Sequence, residues 1–550
     1  MSPGAVAATP PSAMVAFEHA LILLLLIAGL NVVCRWLPWP QPITYLLGGI
    51  GAALLPSFPR ISLDPGFFFL CFLPPPLFSD GWLMPLREFF RAKRQILTLA
   101  IGLVIFTTLA VGLVAHWIIP GLPLAMAFAL GAIVSPTDAV AVNAITERLR
   151  VPARLTTILN GESLMNDATG LVGFKFALAA VVAGGFSLPR VAGEFTLLAV
   201  GGFATGLVLG YAIGKLRDLL ARWRGADPLL EITLSLMTPF AAYLGAEHLG
   251  VSGVLSVVAA GLYSGWRDPV RMDVETRQSA FAVWTVILFW LNGMAFLLLG
   301  MQCPALLSAV SDRYTVGQLT GLTAGVTGAV ILARMAWAFP SAYAPFLLRS
   351  VRRRESPPPW PEVVVAGWAG MRGTVTLAGA LSIPVTLPDG TPFPGRDLVI
   401  FLAFSVIAAT LILQGTTLAP LIHTLGLRED GTHAQEERLA RTTAVEAGLH
   451  ALRALERGAA TDEENAALGH VLAEYEHRLA ALEAEGETRT SARRRRRAEH
   501  HYRSAALQAE RRALDDLWRR GRIVDDVYRP LQQLLDYEES MLRGAPPPAE

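Results

Sequence analysis

Between residues 15 and 425 the chain alternates long apolar runs with short polar breaks. Most runs approach the roughly 20 residues a helix needs to cross a bilayer. Thirteen membrane helices are predicted, over 15–36, 41–56, 66–84, 94–119, 122–146, 154–184, 191–214, 229–247, 251–265, 279–310, 317–348, 361–386 and 397–425. The second and ninth are short, and the eighth and ninth run close together, so the count needs a check from another property. Loop charge supplies one, since cytoplasmic loops collect Lys and Arg. The loops after odd-numbered spans hold 19 such residues, among them Arg87, Lys93, Arg217 and Arg352–Arg354. Those after even-numbered spans hold 4: Arg60, Arg190, Arg313 and Arg396. Merging or splitting any span would scramble this alternation. It predicts an external N-terminus and a cytoplasmic C-terminus.

After residue 427 the pattern changes, and 428–550 is charged, rich in Ala, Glu and Arg, and weakly periodic. The chain is therefore expected to divide into a membrane domain, 1–427, and a soluble, helical cytoplasmic tail, 428–550. Only 17% of all residues are charged, against about 25% in soluble domains, and mean hydropathy is +0.45. The net charge of +1 averages two different solvents and decides nothing. The N-terminus has no basic segment before its first apolar run, which favours a first membrane helix over a cleaved signal. Cys34, Cys71 and Cys303 stand alone without metal-type spacing and read as plain buried thiols. In the tail, Arg493–Arg497 reads either as a patch for anionic lipid headgroups or as a solvated linker between helices. No motif there supports nucleic-acid binding, and the end at Pro546–Pro548 is expected to be disordered.

Six ionisable residues fall inside predicted spans: Asp138, Glu162, Asp167, Lys175, Arg334 and Arg372. Unpaired and facing lipid, they would cost about 15–20 kcal/mol together even on the lenient insertion scale. They must pair, face the bundle interior or line a wet cavity. Three acids with three bases favour an ion or proton pathway. In Gly161-Glu-Ser-Leu-Met-Asn-Asp167, the pairs 162/166 and 163/167 are four apart and 163/166 three apart, so they neighbour one another on a helix. One helix would then present two carboxylates, a hydroxyl and an amide oxygen to a single cavity. That all-oxygen set suits a hard cation such as Na⁺, and no Cys or His pair accompanies it to favour a transition metal. The preceding span contains Ser135-Pro-Thr-Asp138, where proline breaks the helix and frees carbonyls for a cation. Span 12 is interrupted in a matching way by Gly367, Gly370, Arg372 and Gly373. Paired interrupted helices in corresponding halves point to inverted repeats with the substrate site between them.

These runs, Ser135–Asp138, Gly161–Asp167 and Gly370-Met-Arg-Gly373, closely resemble the electroneutral branch of the monovalent cation:proton antiporters. That branch includes bacterial sodium/proton antiporters and the animal sodium/hydrogen exchangers. Phe72-Leu-Pro-Pro-Pro-Leu-Phe78 and Phe289-Trp-Leu-Asn-Gly293 are similar to it too, and the resemblance covers about 15–425. It implies an all-α membrane fold with two broken, crossing helices, and a homodimer. It implies Asp167 as a carboxylate shared by cation and proton, with Ser163 and the Thr137 carbonyl as further Na⁺ ligands and Asn166 supporting them. Glu162 would pair with Arg334, while Asp138 and Arg372 would stabilise the helix crossing. The chain departs from the family where many relatives carry a glutamate after Pro-Pro-x-x-Phe. Here Ser79 stands at that point, followed by Asp80, so Asp80 either substitutes or the ligand is missing. Lys175, eight residues beyond Asp167, reads as structural or as snorkelling to the lipid surface.

The expected activity is secondary transport rather than catalysis: Na⁺, K⁺ or Li⁺ exchanged for H⁺ by alternating access, with no cofactor. One carboxylate neutralised by one cation or one proton implies 1:1, electroneutral exchange, and Asn166 stands where an acid would permit a second proton. A membrane enzyme would need a clustered nucleophile or metal set, but His19, His116, His248 and His423 are scattered over separate spans. A channel would more often have fewer spans and no paired broken helices.

Overall fold

Where no water can satisfy backbone N–H and C=O groups, an apolar run must pair them internally, and helix does so within one segment. A computed structural model of the chain describes residues 13–56, 58, 64–149, 151–183, 188–225, 227–347, 357–427, 432–455, 462–483, 486–520 and 522–544. These residues are overwhelmingly helical, with no β-strand among them. The chain falls into two compact units, Met1–Glu429 and Asp430–Glu550. Arg60, Arg150, Arg349, Arg352–Arg354 and the Pro546–Pro548 end lie outside the described residues, as do the side chains of Arg493–Arg497.

The first unit opens with α1 (Ala13–Cys34) and α2 (Gln41–Ala53). The third apolar run forms two short helices, α3 (Pro65–Phe72) and α4 (Pro74–Leu83), because Pro74, Pro75 and Pro76 remove three successive donors. The next helix starts earlier than expected, at α5 (Leu86–Leu97), and passes through a π-helical turn, Thr98–Leu103, into α6 (Val104–Ile118). The Trp337 indole donates to the Thr98 carbonyl at 3.1 Å, meeting a group the wider turn exposes. There follow α7 (Leu124–Ile133), α8 (Ala139–Leu149), the 31-residue α9 (Ala153–Ala183) and α10 (Leu188–Arg224). Next are α11 (Pro228–His248), α12 (Gly253–Arg271), α13 (Val274–Met301), α14 (Cys303–Ser311) and α15 (Val316–Tyr343). The last three are α16 (Trp360–Trp368), α17 (Thr374–Leu381) and α18 (Arg396–Thr424).

Local signals separate the crowded runs. Gly250 at φ +70° follows the end of α11, and the Ser252 hydroxyl then caps α12 by accepting from Leu255 N–H. Asp227, Asp273 and Thr315 cap α11, α13 and α15 in the same way. Eight helical stretches among the described residues are long and apolar enough to cross a bilayer. The remaining runs form shorter, interrupted or more polar helices, so these eight stretches do not by themselves fix the number of crossings. Small residues let helices approach closely. A Cβ on Gly261 of α12 would stand 3.2 Å from the Phe78 Cα of α4.

In the second unit α19 (Thr432–Leu455) packs on α20 (Asp462–Glu483), and α21 (Gly486–Arg519) on α22 (Asp525–Gly544). Arg453–Glu476 at 2.9 Å ties the first pair. The second is held by Trp518 stacked on Tyr528 and by Arg511, which reaches both Asp536 and Glu539 at 2.7 Å.

Candidate functional site

Two helices break and meet. The first break separates α7 from α8 over 134–138, around Pro136, and the second separates α16 from α17 over 369–373. In the second, Ala369 (φ −72°, ψ 59°) makes an inverse γ-turn closed by Gly370 N–H on Trp368 O at 2.7 Å. The breaks bond to each other directly, Asp138 N–H donating to Met371 O at 2.8 Å. Gly373 is required at this contact, because a Cβ there would run into the Asp138 carboxylate.

Broken helices leave their end dipoles inside the unit, N-termini positive and C-termini negative. Two charged side chains answer them. Asp138 accepts from Val140 N–H at 2.8 Å, capping α8, and abuts the start of α17. Arg372, fully buried, donates from Nε to Val134 O at 2.9 Å at the end of α7 and from Nη1 to Gly370 O beyond α16. Its backbone N–H is taken by Thr410 of α18 at 3.3 Å.

Helix α9 lies alongside the first break. Ser163 Oγ donates to the Thr137 carbonyl at 2.8 Å and accepts from Ala139 N–H at 3.1 Å. Hydroxyl and carbonyl oxygens each offer two lone pairs, so both atoms keep one free without giving up a bond. Asn166 Nδ2 donates to Thr137 Oγ1 at 2.8 Å, and that hydroxyl donates to Glu162 Oε1 at 3.2 Å. Glu162 receives Arg334 of α15 on both oxygens, with Nη2 2.9 Å from Oε2. Arg334 also reaches Ala366 O of α16 at 3.2 and 2.9 Å. Glu162 and Arg334 are at most 1% exposed, so this bidentate pair satisfies two charges that could not otherwise stay buried.

Beside this framework lies a cavity of about 50 Å³, lined in part by Asp80, Thr137, Asp138, Ser163, Asp167, Asn292, Thr374 and Thr376. A single water needs some 10–15 Å³ on the same measure, so a cation with a remnant of its hydration shell fits. Among the described residues, nothing hydrogen-bonds the Asp167 carboxylate. An unpaired carboxylate beside two oxygens with free lone pairs can coordinate a hard cation or take up a proton.

Of the residues singled out from the sequence, Asp167, Ser163, Thr137 and Asp138 line this cavity; Glu162 and Asn166 do not. Positions 162/166 and 163/167 are successive stripes about 100° apart on the helix, so one stripe faces Arg334 and the Thr137 hydroxyl while the other faces the cavity. Asp80 is at the cavity, whereas the preceding Ser79 is buried with its hydroxyl unbonded. Lys175 is exposed and does not line it. Sequence reasoning missed Asn292, Thr374 and Thr376. A lone Asn within the apolar stretch of α13 was the available signal for Asn292. It also missed a second buried charge group, in which Arg217 meets Asp268 and Glu231 at 3.2 Å and Arg271 meets Asp218 at 3.4 Å. These arginines were counted as loop charges but belong to α10 and α12.

Residues 22–424 match the family of transmembrane sodium/hydrogen exchangers. The chain is 36% identical over 546 residues to the uncharacterized Na(+)/H(+) exchanger YjcE of Escherichia coli, covering 96% of this chain and 98% of that one. It is 35% identical to the sodium, potassium, lithium and rubidium/H(+) antiporter of Bacillus subtilis, covering 94% and 77%. The fold is similar to that of the sodium proton antiporter MjNhaP1 from Methanocaldococcus jannaschii at pH 8, with a TM-score of 0.59 at 19% identity, covering 75% of this chain and 99% of that one.

Proposed function

The chain belongs to the transmembrane sodium/hydrogen exchanger family, as a multi-pass sodium/proton antiporter, and we propose that it exchanges one monovalent cation for one proton, electroneutrally, with Asp167 as the shared site. The observation that carries this reading is the Asp167 carboxylate, unbonded among the described residues, in a cavity with Ser163 and Thr137. Cation and proton compete for the same charge, so the site is neutral at Asp167 whichever it holds. Ser163 Oγ and the Thr137 carbonyl complete the cation's shell, and Asn166 holds Thr137 from behind. Asp138 stays engaged at the helix ends and Glu162 stays paired with Arg334, so neither changes charge during the cycle. A 1:1 electroneutral cycle requires Asp80 to keep one protonation state throughout. K⁺ and Li⁺ are candidate substrates beside Na⁺, in keeping with the name of the Bacillus subtilis relative.

We further place the protein in the bacterial cytoplasmic membrane as a homodimer, with thirteen crossings arranged as inverted repeats, an external N-terminus, a cytoplasmic tail and a role in pH homeostasis. Even without Arg217 and Arg271, the segments between predicted spans hold 17 basic residues on one side against 4 on the other, which supports this orientation.

The test is dequenching of a pH dye in proteoliposomes on addition of Na⁺, K⁺ or Li⁺. Exchange driven by Na⁺ is expected to proceed at the same rate with and without a potassium–valinomycin diffusion potential. Acceleration by a potential of either sign would show that a second charge moves and would end the one-carboxylate cycle. Asp80→Asn restoring indifference to potential would then identify that charge. Competition also sets the pH dependence: on the acid side of the Asp167 titration, apparent cation affinity is expected to fall about tenfold per pH unit. Affinity that stays level while the maximal rate falls would mean that protons and cations bind different groups.

A further inference from the structure

Asp167, Asp80 and Asn292 are among the polar side chains that line the cavity without a hydrogen-bond partner among the described residues. Asp167 comes from α9, beside the helix crossing, whereas Asn292 comes from α13, which packs against α1 and α2. On α13, Asn292 shares one face with Ala295 and Phe296, which also line the cavity. The rest of that wall is therefore apolar, and the amide is its one polar group. Asn292 is half-buried, and an amide set in an apolar wall with no protein group bonded to it is open to a ligand or water in the cavity.

We propose that Asn292 is a specificity-determining residue: its side-chain carbonyl is the ligand that larger monovalent cations need and smaller ones do not. This role rests on the transport reading above and concerns the same cavity. Thr137 O and Ser163 Oγ are bonded to each other, and Asp167, one helical turn beyond Ser163 on α9, lines the same cavity. A small, strongly attracting cation, Li⁺ or Na⁺, is drawn in against these groups and keeps water on its open side. A dehydrated K⁺ or Rb⁺ is too large to sit as deep. It rides further out in the cavity and completes its shell from the α13 wall. The number and reach of the ligands, more than charge, separate such ions. Asn292 offers a neutral oxygen there, so it adds a contact without altering the charge balance of the cycle.

The experiment compares wild type, Asn292→Leu and Asn292→Gln in proteoliposomes, reading apparent affinity for Li⁺, Na⁺, K⁺ and Rb⁺ at fixed pH. Leu keeps the bulk and removes the oxygen, and Gln moves the oxygen further into the cavity. In Asn292→Leu, affinity for K⁺ and Rb⁺ is expected to fall about tenfold, the worth of one oxygen contact, while Li⁺ and Na⁺ change less than about threefold. Asn292→Gln should shift preference toward Li⁺ and Na⁺, because the longer side chain narrows the cavity. Equal losses for all four cations would make Asn292 structural and overturn the proposal. So would a wild type that exchanges Na⁺ but neither K⁺ nor Rb⁺. A wild type that exchanges no cation at all would instead overturn the transport reading itself.

Discussion

Asp167→Asn is expected to abolish cation-driven proton flux in proteoliposomes while leaving expression, monodispersity and thermal stability close to wild type. The substitution is nearly isosteric, and no hydrogen bond to the carboxylate is lost among the described residues. Asp167 is only 9% exposed, and removing an unpaired buried charge relieves a desolvation cost rather than adding one. Activity should disappear because an amide keeps an oxygen for the cation but neither neutralises its charge nor accepts the exchanged proton. Purified Asn variant with substantial Na⁺-dependent proton flux would remove Asp167 from its assigned role. A variant that aggregates would show that the carboxylate also supports the fold.

Breaking the Glu162–Arg334 pair should have the largest effect on stability. Either single substitution, Glu162→Leu or Arg334→Met, leaves a charge buried in apolar surroundings, and about 3–5 kcal/mol should be lost in each case. Arg334 would retain only the Ala366 carbonyl, and Glu162 only the Thr137 hydroxyl. The double variant strands neither charge and should cost clearly less than the sum. Unfolding of the four proteins in detergent closes the cycle. Simple addition of the two single losses would mean that the residues are not energetically coupled.

The elements that bear on the site were legible because their causes are local. Apolar runs of bilayer length specify helix, Pro136 and the Gly370–Gly373 cluster specify breaks, and four-residue spacing specifies that Ser163 and Asp167 share a face. Caps such as Ser252 and Asp273 are equally local. The ion pair between Glu162 and Arg334 is 172 positions apart in sequence. Only family resemblance pairs them without the fold, since nothing in either segment points to the other.

Only the tertiary structure decided which way each helix is turned. In a soluble protein the apolar stripe of a helix reveals its buried side. Helix α9 carries no such stripe, because lipid-facing and core-facing positions are both apolar in a bilayer. The sequence therefore presented Glu162, Ser163, Asn166 and Asp167 as one set, and packing divided them into a stripe toward Arg334 and a stripe toward the cavity. The same ambiguity hid Asn292 on α13 and left Asp80 undecided against Ser79 on α4. It also disguised Arg217 and Arg271 as loop charges until α10, α11 and α12 closed around them. Composition and local spacing set what each helix carries; rotation about its axis, which an apolar solvent leaves unmarked, set what each side chain meets.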